Sequence, residues 1–85
     1  MPSIEIYTRD FCPYCNLAKR LLKTKGLAWK EINLSRNPER SEEMLQRAKG
    51  RTTVPEIFIQ GSLIGGWDHL SALERAGKLD LLLAS

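Results

Sequence analysis

Hydrophobic and polar positions alternate near the start of the chain and then switch to helical spacing. Ile4-Glu5-Ile6-Tyr7-Thr8 alternates and is rich in β-branched and aromatic residues, which predicts a short strand. Leu17, Ala18, Leu21 and Leu22 share one side of a 3.6-residue period, which predicts a helix that Gly26 would stop. Residues 27–33, Leu-Ala-Trp-Lys-Glu-Ile-Asn, predict a second strand with Trp29 as its large core residue. Pro38 is placed to open a second helix at its first position, followed by Glu39, Glu42 and Glu43, whose charges suit a helix N-terminus. Met44, Leu45 and Ala48 would form its buried face and Gly50 its end. A β-α-β-α order of this kind favours two parallel strands joined by a right-handed crossover.

The second half changes character. Residues 56–59, Glu-Ile-Phe-Ile, predict an apolar strand, residues 60–62 a glycine-containing turn, and Leu63-Ile64 a returning strand: a hairpin. Pro55 stands at the start of that strand, where a missing N–H is tolerated. Gly65-Gly66 permits positive φ or close backbone approach. A third helix is expected from residue 68 or 69 to residue 76 on the inner face Leu70, Leu73 and Ala76, with Gly77 as breaker and a short final helix over 78–84. No internal repeat or low-complexity stretch is visible.

Composition narrows the class. A chain of 85 residues is expected to form one domain over its whole length, 1–85, near the small end of what folds on one core without staples. No apolar run approaches the ~20 residues of a membrane span, so no membrane association is expected. The net charge of +3 comes from Lys19, Arg20, Lys23 and Lys25 around the first helix and Arg36, Arg40, Arg47, Lys49 and Arg51 later. These are read as solvated helix faces; no basic cluster interleaved with aromatics appears, which argues against nucleic-acid binding. A positive rim that steers an anionic thiol or disulfide is the secondary reading.

The candidate chemistry lies in residues 11–17, Phe11-Cys12-Pro13-Tyr14-Cys15-Asn16-Leu17, which hold both cysteines as C-x-x-C where the first strand turns into the first helix. Pro13 fits the first helical turn and leaves Cys12 at or just before the N-terminus. Free N–H groups and the helix dipole stabilise an anion there, and the thiolate is the reactive form of cysteine. Arg9 would add to this field. Cys15, one turn into the helix, is less exposed and less favoured by the dipole, so Cys12 is expected to attack and Cys15 to resolve. Structural zinc takes four ligands, and beyond the two cysteines the chain offers only His69. A structural disulfide would suit a small secreted domain, but Met1-Pro2-Ser3 runs into a strand without a basic or apolar leader. An intracellular C-x-x-C beside a βαβ pattern reads as a redox pair.

Taken together, Ile6-Tyr7-Thr8 before Cys12-Pro13-Tyr14-Cys15, then Thr52-Thr53-Val54-Pro55, then Ile64-Gly65-Gly66 leading to Asp68, resemble a glutaredoxin of the bacterial dithiol type. The resemblance covers nearly the whole chain. It implies an α/β, thioredoxin-like fold: a four-stranded mixed sheet with helices on both faces, in the order β-α-β-α-β-β-α. It implies glutathione-dependent thiol-disulfide exchange, with glutathione as co-substrate and no permanently bound cofactor or metal. Pro55 would be a cis-proline beside Cys12, and Val54 would offer its backbone to the cysteinyl part of glutathione. Thr53 and Tyr14 would line the groove. Gly66, Trp67 and Asp68 would receive the γ-glutamyl end, and Arg9, with Arg40 as a further candidate, the glycyl carboxylate. Implied partners are glutathionylated or disulfide-bonded proteins and, through glutathione disulfide, glutathione reductase. A cytoplasmic monomer is expected. Trp67 and His69 depart from the commonest family pattern, which carries a small or sulfur-bearing residue and an aspartate at these places. Trp67 is expected either to pack over the hairpin or to touch ligand, and His69 to be a surface residue at the helix start. Two related readings differ in class: a redoxin reduced by thioredoxin reductase, and a dimer bridged by an iron-sulfur cluster.

Overall fold

The computed structural model describes residues 2–84. The elements are β1 (Ile4–Thr8), α1 (Pro13–Thr24), β2 (Lys30–Asn33), a 3-10 turn (Pro38–Arg40), α2 (Ser41–Arg47), β3 (Glu56–Ile59), β4 (Ser62–Gly65), α3 (Trp67–Arg75) and α4 (Leu79–Ala84). The strands form one four-stranded sheet in the order β2-β1-β3-β4. β1 and β2 are parallel, whereas β1-β3 and β3-β4 are antiparallel, so the sheet is mixed, as the resemblance implied.

Several boundaries differ from those the pattern predicts, each for a local reason. β2 begins at Lys30 because Leu27 is used elsewhere: its N–H donates to the Leu22 carbonyl (3.1 Å), and Gly26, at φ +73°, gives the left-handed residue that this helix ending needs. Trp29 therefore packs half-buried at the rim of the core and not within a strand. Pro38 opens a tight turn closed by Arg40 N–H to Asn37 C=O (3.0 Å), and the α-helix starts only at Ser41. The hairpin turn is two residues, Gln60 (φ +53°) and Gly61 (φ +79°), which have the two positive φ values of a type I′ turn. Ser62 is thereby released into β4. α3 begins at Trp67, ahead of the expected start, with Gly66 as its N-cap.

Alternation along β1 and β3 builds two cores. Ile4, Ile6, Ile57 and Ile59 meet Ala18 and Leu22 of α1, Leu70 of α3 and Leu79 of α4 on one face. On the other, Tyr7, Phe58 and Ile32 meet Met44 and Ala48 from α2 and its end. Burial of each large apolar side chain contributes about 1.5–3 kcal/mol. The second face also carries a polar clamp. Arg47 donates to both carboxylate oxygens of Glu5 (2.9 and 3.0 Å) and to the Tyr7 hydroxyl (2.9 Å), and its guanidinium lies 4.1 Å from the Phe58 ring centre. Tyr7 in turn donates to Glu43, which Arg40 holds at 2.8 and 3.1 Å. No helix among the described residues is long and apolar enough to cross a membrane.

Candidate active site

The C-x-x-C lies where β1 gives way to α1. Cys12 is the N-cap of α1 with extended backbone (φ −112°, ψ 101°), Pro13 occupies the first helical turn, and the Cys15 N–H donates to Cys12 Sγ at 3.1 Å. The first turn holds no acidic side chain to oppose negative charge on that sulfur. Cys12 and Cys15 are joined in a disulfide with Cα atoms 5.2 Å apart. Cys12 is half-buried and Cys15 is 1% exposed, so solvent reaches one sulfur-bearing residue and hardly the other.

Beside the pair, the segment before β3 closes in. The Val54–Pro55 peptide bond is cis, and the Val54 carbonyl oxygen lies 4.0 Å from Cys12 Sγ. A cleft of about 420 Å³ runs from there to the start of α3, lined by Tyr14, Arg51, Thr53, Val54, Pro55, Gly66, Trp67 and Asp68. Seven of these were expected from the sequence: Tyr14, Thr53, Val54, Pro55, Gly66, Trp67 and Asp68 are brought together. Trp67 lines the cleft and also packs against the larger core.

Arg9 falls elsewhere. It reaches over the loop to donate to the Thr52 carbonyl (3.2 Å) and lines a neighbouring hollow. Arg40 is engaged by Glu43, away from the cleft lining. Arg51 takes a place in the cleft that the sequence reading did not assign; its position two residues before Thr53 was the available signal. Behind it sits Glu56, fully buried, one carboxylate oxygen accepting from Thr53 Oγ1 (3.2 Å) and lying 3.5 Å from Arg51 Nε. The other oxygen has no hydrogen-bond partner among the described residues. Burial raises the Glu56 pKa above the ordinary carboxylate value, opposed by Arg51, Thr53 and His69.

His69 is a surface residue in the first turn of α3, as expected, and it also makes contacts there. Its Nδ1 accepts the Gly66 N–H at 3.3 Å and lies 3.2 Å from Asp68 Oδ1. The ring fills the space beside Gly65, where a Cβ would stand 2.6 Å from Nδ1 and where φ is +119°. Only glycine serves there.

A C-x-x-C at a helix N-terminus on a mixed sheet, set beside the Val54–Pro55 segment that lines the neighbouring cleft, defines a thiol-disulfide oxidoreductase of thioredoxin-like fold. Comparison with known proteins narrows this class. The glutaredoxin family model matches residues 4–64. Glutaredoxin 3 of Escherichia coli K12 is 51% identical over 83 residues, which are 98% of this chain and 99% of that one. The holo form of glutaredoxin C1 from Populus tremula x tremuloides superposes with a TM-score of 0.86 at 32% identity, covering 95% of this chain and 82% of that one. A buckwheat glutaredoxin-glutathione complex gives 0.84 at 32% identity, covering 95% and 76%. The chain belongs to the glutaredoxin family and is a glutathione-dependent thiol-disulfide oxidoreductase.

Proposed function

We propose that this protein reduces protein-glutathione mixed disulfides through Cys12 alone and protein disulfides through Cys12 and Cys15 together. The observation that carries the assignment is the unequal exposure of the two cysteines at the rim of one cleft: Cys12 is reachable at the helix N-cap and Cys15 is buried beneath it. Helix N–H groups and dipole favour the Cys12 thiolate.

In the first route the Cys12 thiolate attacks the glutathione sulfur of a mixed disulfide. The protein sulfur leaves as thiolate and takes up a proton, and Cys12 carries glutathione. A second glutathione thiolate attacks that sulfur, forms glutathione disulfide and returns Cys12 to thiolate. In the second route Cys12 attacks a protein disulfide and forms a mixed disulfide with one of its sulfurs; Cys15, deprotonated, attacks Cys12 and releases the second protein thiol. Two glutathiones then reduce the Cys12–Cys15 bond and leave as glutathione disulfide, so two electrons pass to the substrate in each route.

Glutathione fits the cleft as an added strand along Val54, with Tyr14, Thr53 and Pro55 as walls. Its γ-glutamyl carboxylate is received by N–H groups at the start of α3, a site suited to an anion, beside Gly66, Trp67 and Asp68. Arg51 stands nearer the cleft than Arg9 and is the better candidate for the glycyl carboxylate. No permanently bound cofactor is required. Partners are glutathionylated or disulfide-bonded proteins and, through glutathione disulfide, glutathione reductase. The whole chain acts as one domain and as a monomer, in the cytoplasm, where a reducing glutathione pool supplies the electrons.

Trapping tests the residue roles. Incubated with glutathione disulfide, reduced C15S gains one glutathione, on Cys12 by peptide mass spectrometry, while C12S gains none within the same time. Equal labelling of Cys15 in C12S would overturn the division of labour.

A further inference from the structure

Phe11 stands immediately before the reactive cysteine and is denied both things its side chain and backbone favour. It is 102% exposed and adopts φ +57°. A single exposed apolar residue is ordinary on a protein surface. A bulky aromatic held in the left-handed region with no burial in return is not, and such outliers gather at functional sites. The position explains part of it: Phe11 precedes the N-cap of α1, where an apolar side chain commonly packs on the fourth helical residue, but that residue is Asn16.

Nor is the exposure the result of a slack loop. Arg9 is tied to the Thr52 carbonyl (3.2 Å), the Asp10 N–H donates to Ser35 Oγ (2.9 Å), and Asn33 Nδ2 donates to Asp10 Oδ1 (2.9 Å), with Arg36 Nε 3.6 Å from the same oxygen. The knob is pre-set. Beside it lies a polar hollow of about 500 Å³, lined by Phe11 itself with Arg9, Asp10, Lys19, Glu31 and Arg36, on a lining distinct from that of the cleft assigned to glutathione.

We infer that Phe11 is a docking residue for protein substrates, taking the apolar side chain that flanks the substrate's target cysteine. The inference rests on the proposed exchange at Cys12. In the dithiol route a disulfide between Cys12 and the substrate cysteine holds that cysteine's Cα about 4.4–6.8 Å from that of Cys12, and the next substrate residue lies ~3.8 Å further along; in the monothiol route the substrate sulfur leaves from the far side of the glutathione sulfur, one bond further out. Residues flanking the substrate sulfur must therefore pass over the immediate neighbours of Cys12. On the helix side Pro13 is exposed and Tyr14 lines the glutathione cleft; on the other side Phe11 is the exposed aromatic left for the polypeptide. A rigid aromatic loses little entropy on contact and is well suited to anchor a partner. Glutathione itself has no need of Phe11, so the residue separates protein from small-molecule substrates.

The test uses the full chain and three glutathionylated substrates: a peptide with leucines flanking its cysteine, the same peptide with serines, and free cysteine-glutathione disulfide. F11S should lower kcat/KM on the leucine peptide by about five- to tenfold, as expected for losing one partly buried aromatic contact. It should leave the other two within about twofold, and F11L should recover most of the loss. In parallel, prereduced protein reduces the intramolecular disulfide of two-cysteine versions of the leucine and serine peptides stoichiometrically, without glutathione, and F11S should slow the leucine peptide selectively there too. Equal losses on all substrates, or no loss on the leucine peptides, would overturn the inference. Absence of glutathione-supported turnover by the wild type would strike the glutathione reading instead, while the stoichiometric assay still decides the role of Phe11.

Discussion

Glu56 shows how much a single residue behind the cleft can matter. Its carboxyl is fully buried, half-partnered, and held to Thr53 and Arg51, both of which line the cleft. Burial raises its pKa, so between the unfolded value of about 4.5 and the raised native value the folded state binds more protons than the unfolded one. Stability then falls as pH rises through that window. E56Q keeps the acceptor and removes the charge, so it should be more stable than wild type at pH 8 by about 1 kcal/mol. That corresponds to a Tm higher by ~4–8 °C, with a difference that shrinks toward pH 4. A Tm series across pH checks this; E56Q melting lower at pH 8 would mean that the Arg51 ion pair outweighs the burial cost. The place of Pro55 and Gly66 in the cleft was legible because each is marked by a short motif. Arg51 and Glu56 were not, since their roles depend on a loop folding back over a strand.

At the scale of elements, α2 is a short helix fixed to the sheet by charge as well as by Met44 and Ala48. Arg47 joins Glu5, Tyr7 and Phe58 in one contact set. R47A should cost about 2 kcal/mol at pH 7, measured by urea unfolding. The Glu5 pKa is lowered chiefly by its hydrogen bonds from Arg47, and that of Glu43 chiefly by Arg40. The stability these carboxylates contribute is therefore present above about pH 4.5 and lost as pH falls through their depressed native values. The gap between wild type and R47A should narrow on acidification below that point. The turn from β4 into α3 depends on Gly65 in a similar way. G65A meets the His69 ring and a disfavoured φ together, and should destabilise by ~2 kcal/mol or more while raising the KM for glutathione. H69A in the same chain should recover the part due to the clash and not the part due to φ; full recovery would show the backbone there to be relaxed. The pattern of apolar positions predicted every strand and α-helix, and the bounds of β1 and β3, but not where β2, α2 and α3 begin. Leu27 and Pro38 are examples: what decides the boundary is which hydrogen bond an amide makes, and the periodicity does not carry that.

Across the whole molecule, a parallel β1-β2 pair and an antiparallel hairpin share one sheet, and the join puts the two halves of the site together. The N-terminal half supplies Cys12 and Cys15 at the start of α1; the C-terminal half supplies Val54, Pro55 and the start of α3. The order of elements made this arrangement legible, because a βαβ crossover followed by a hairpin can place these ends at one end of the central strands. The distance between them was not, since it is set by both cores packing at once. Cys12 alone is expected to sustain glutathione-dependent reduction. The direct measurement is turnover of a glutathionylated peptide with glutathione, glutathione reductase and NADPH as the only electron source, for wild type, C12S and C15S. Wild type and C15S should both turn over and C12S should be reduced to background. An inactive wild type whose Cys12–Cys15 disulfide is nonetheless reduced by thioredoxin reductase, or a C12S variant that keeps its activity, would contradict the account.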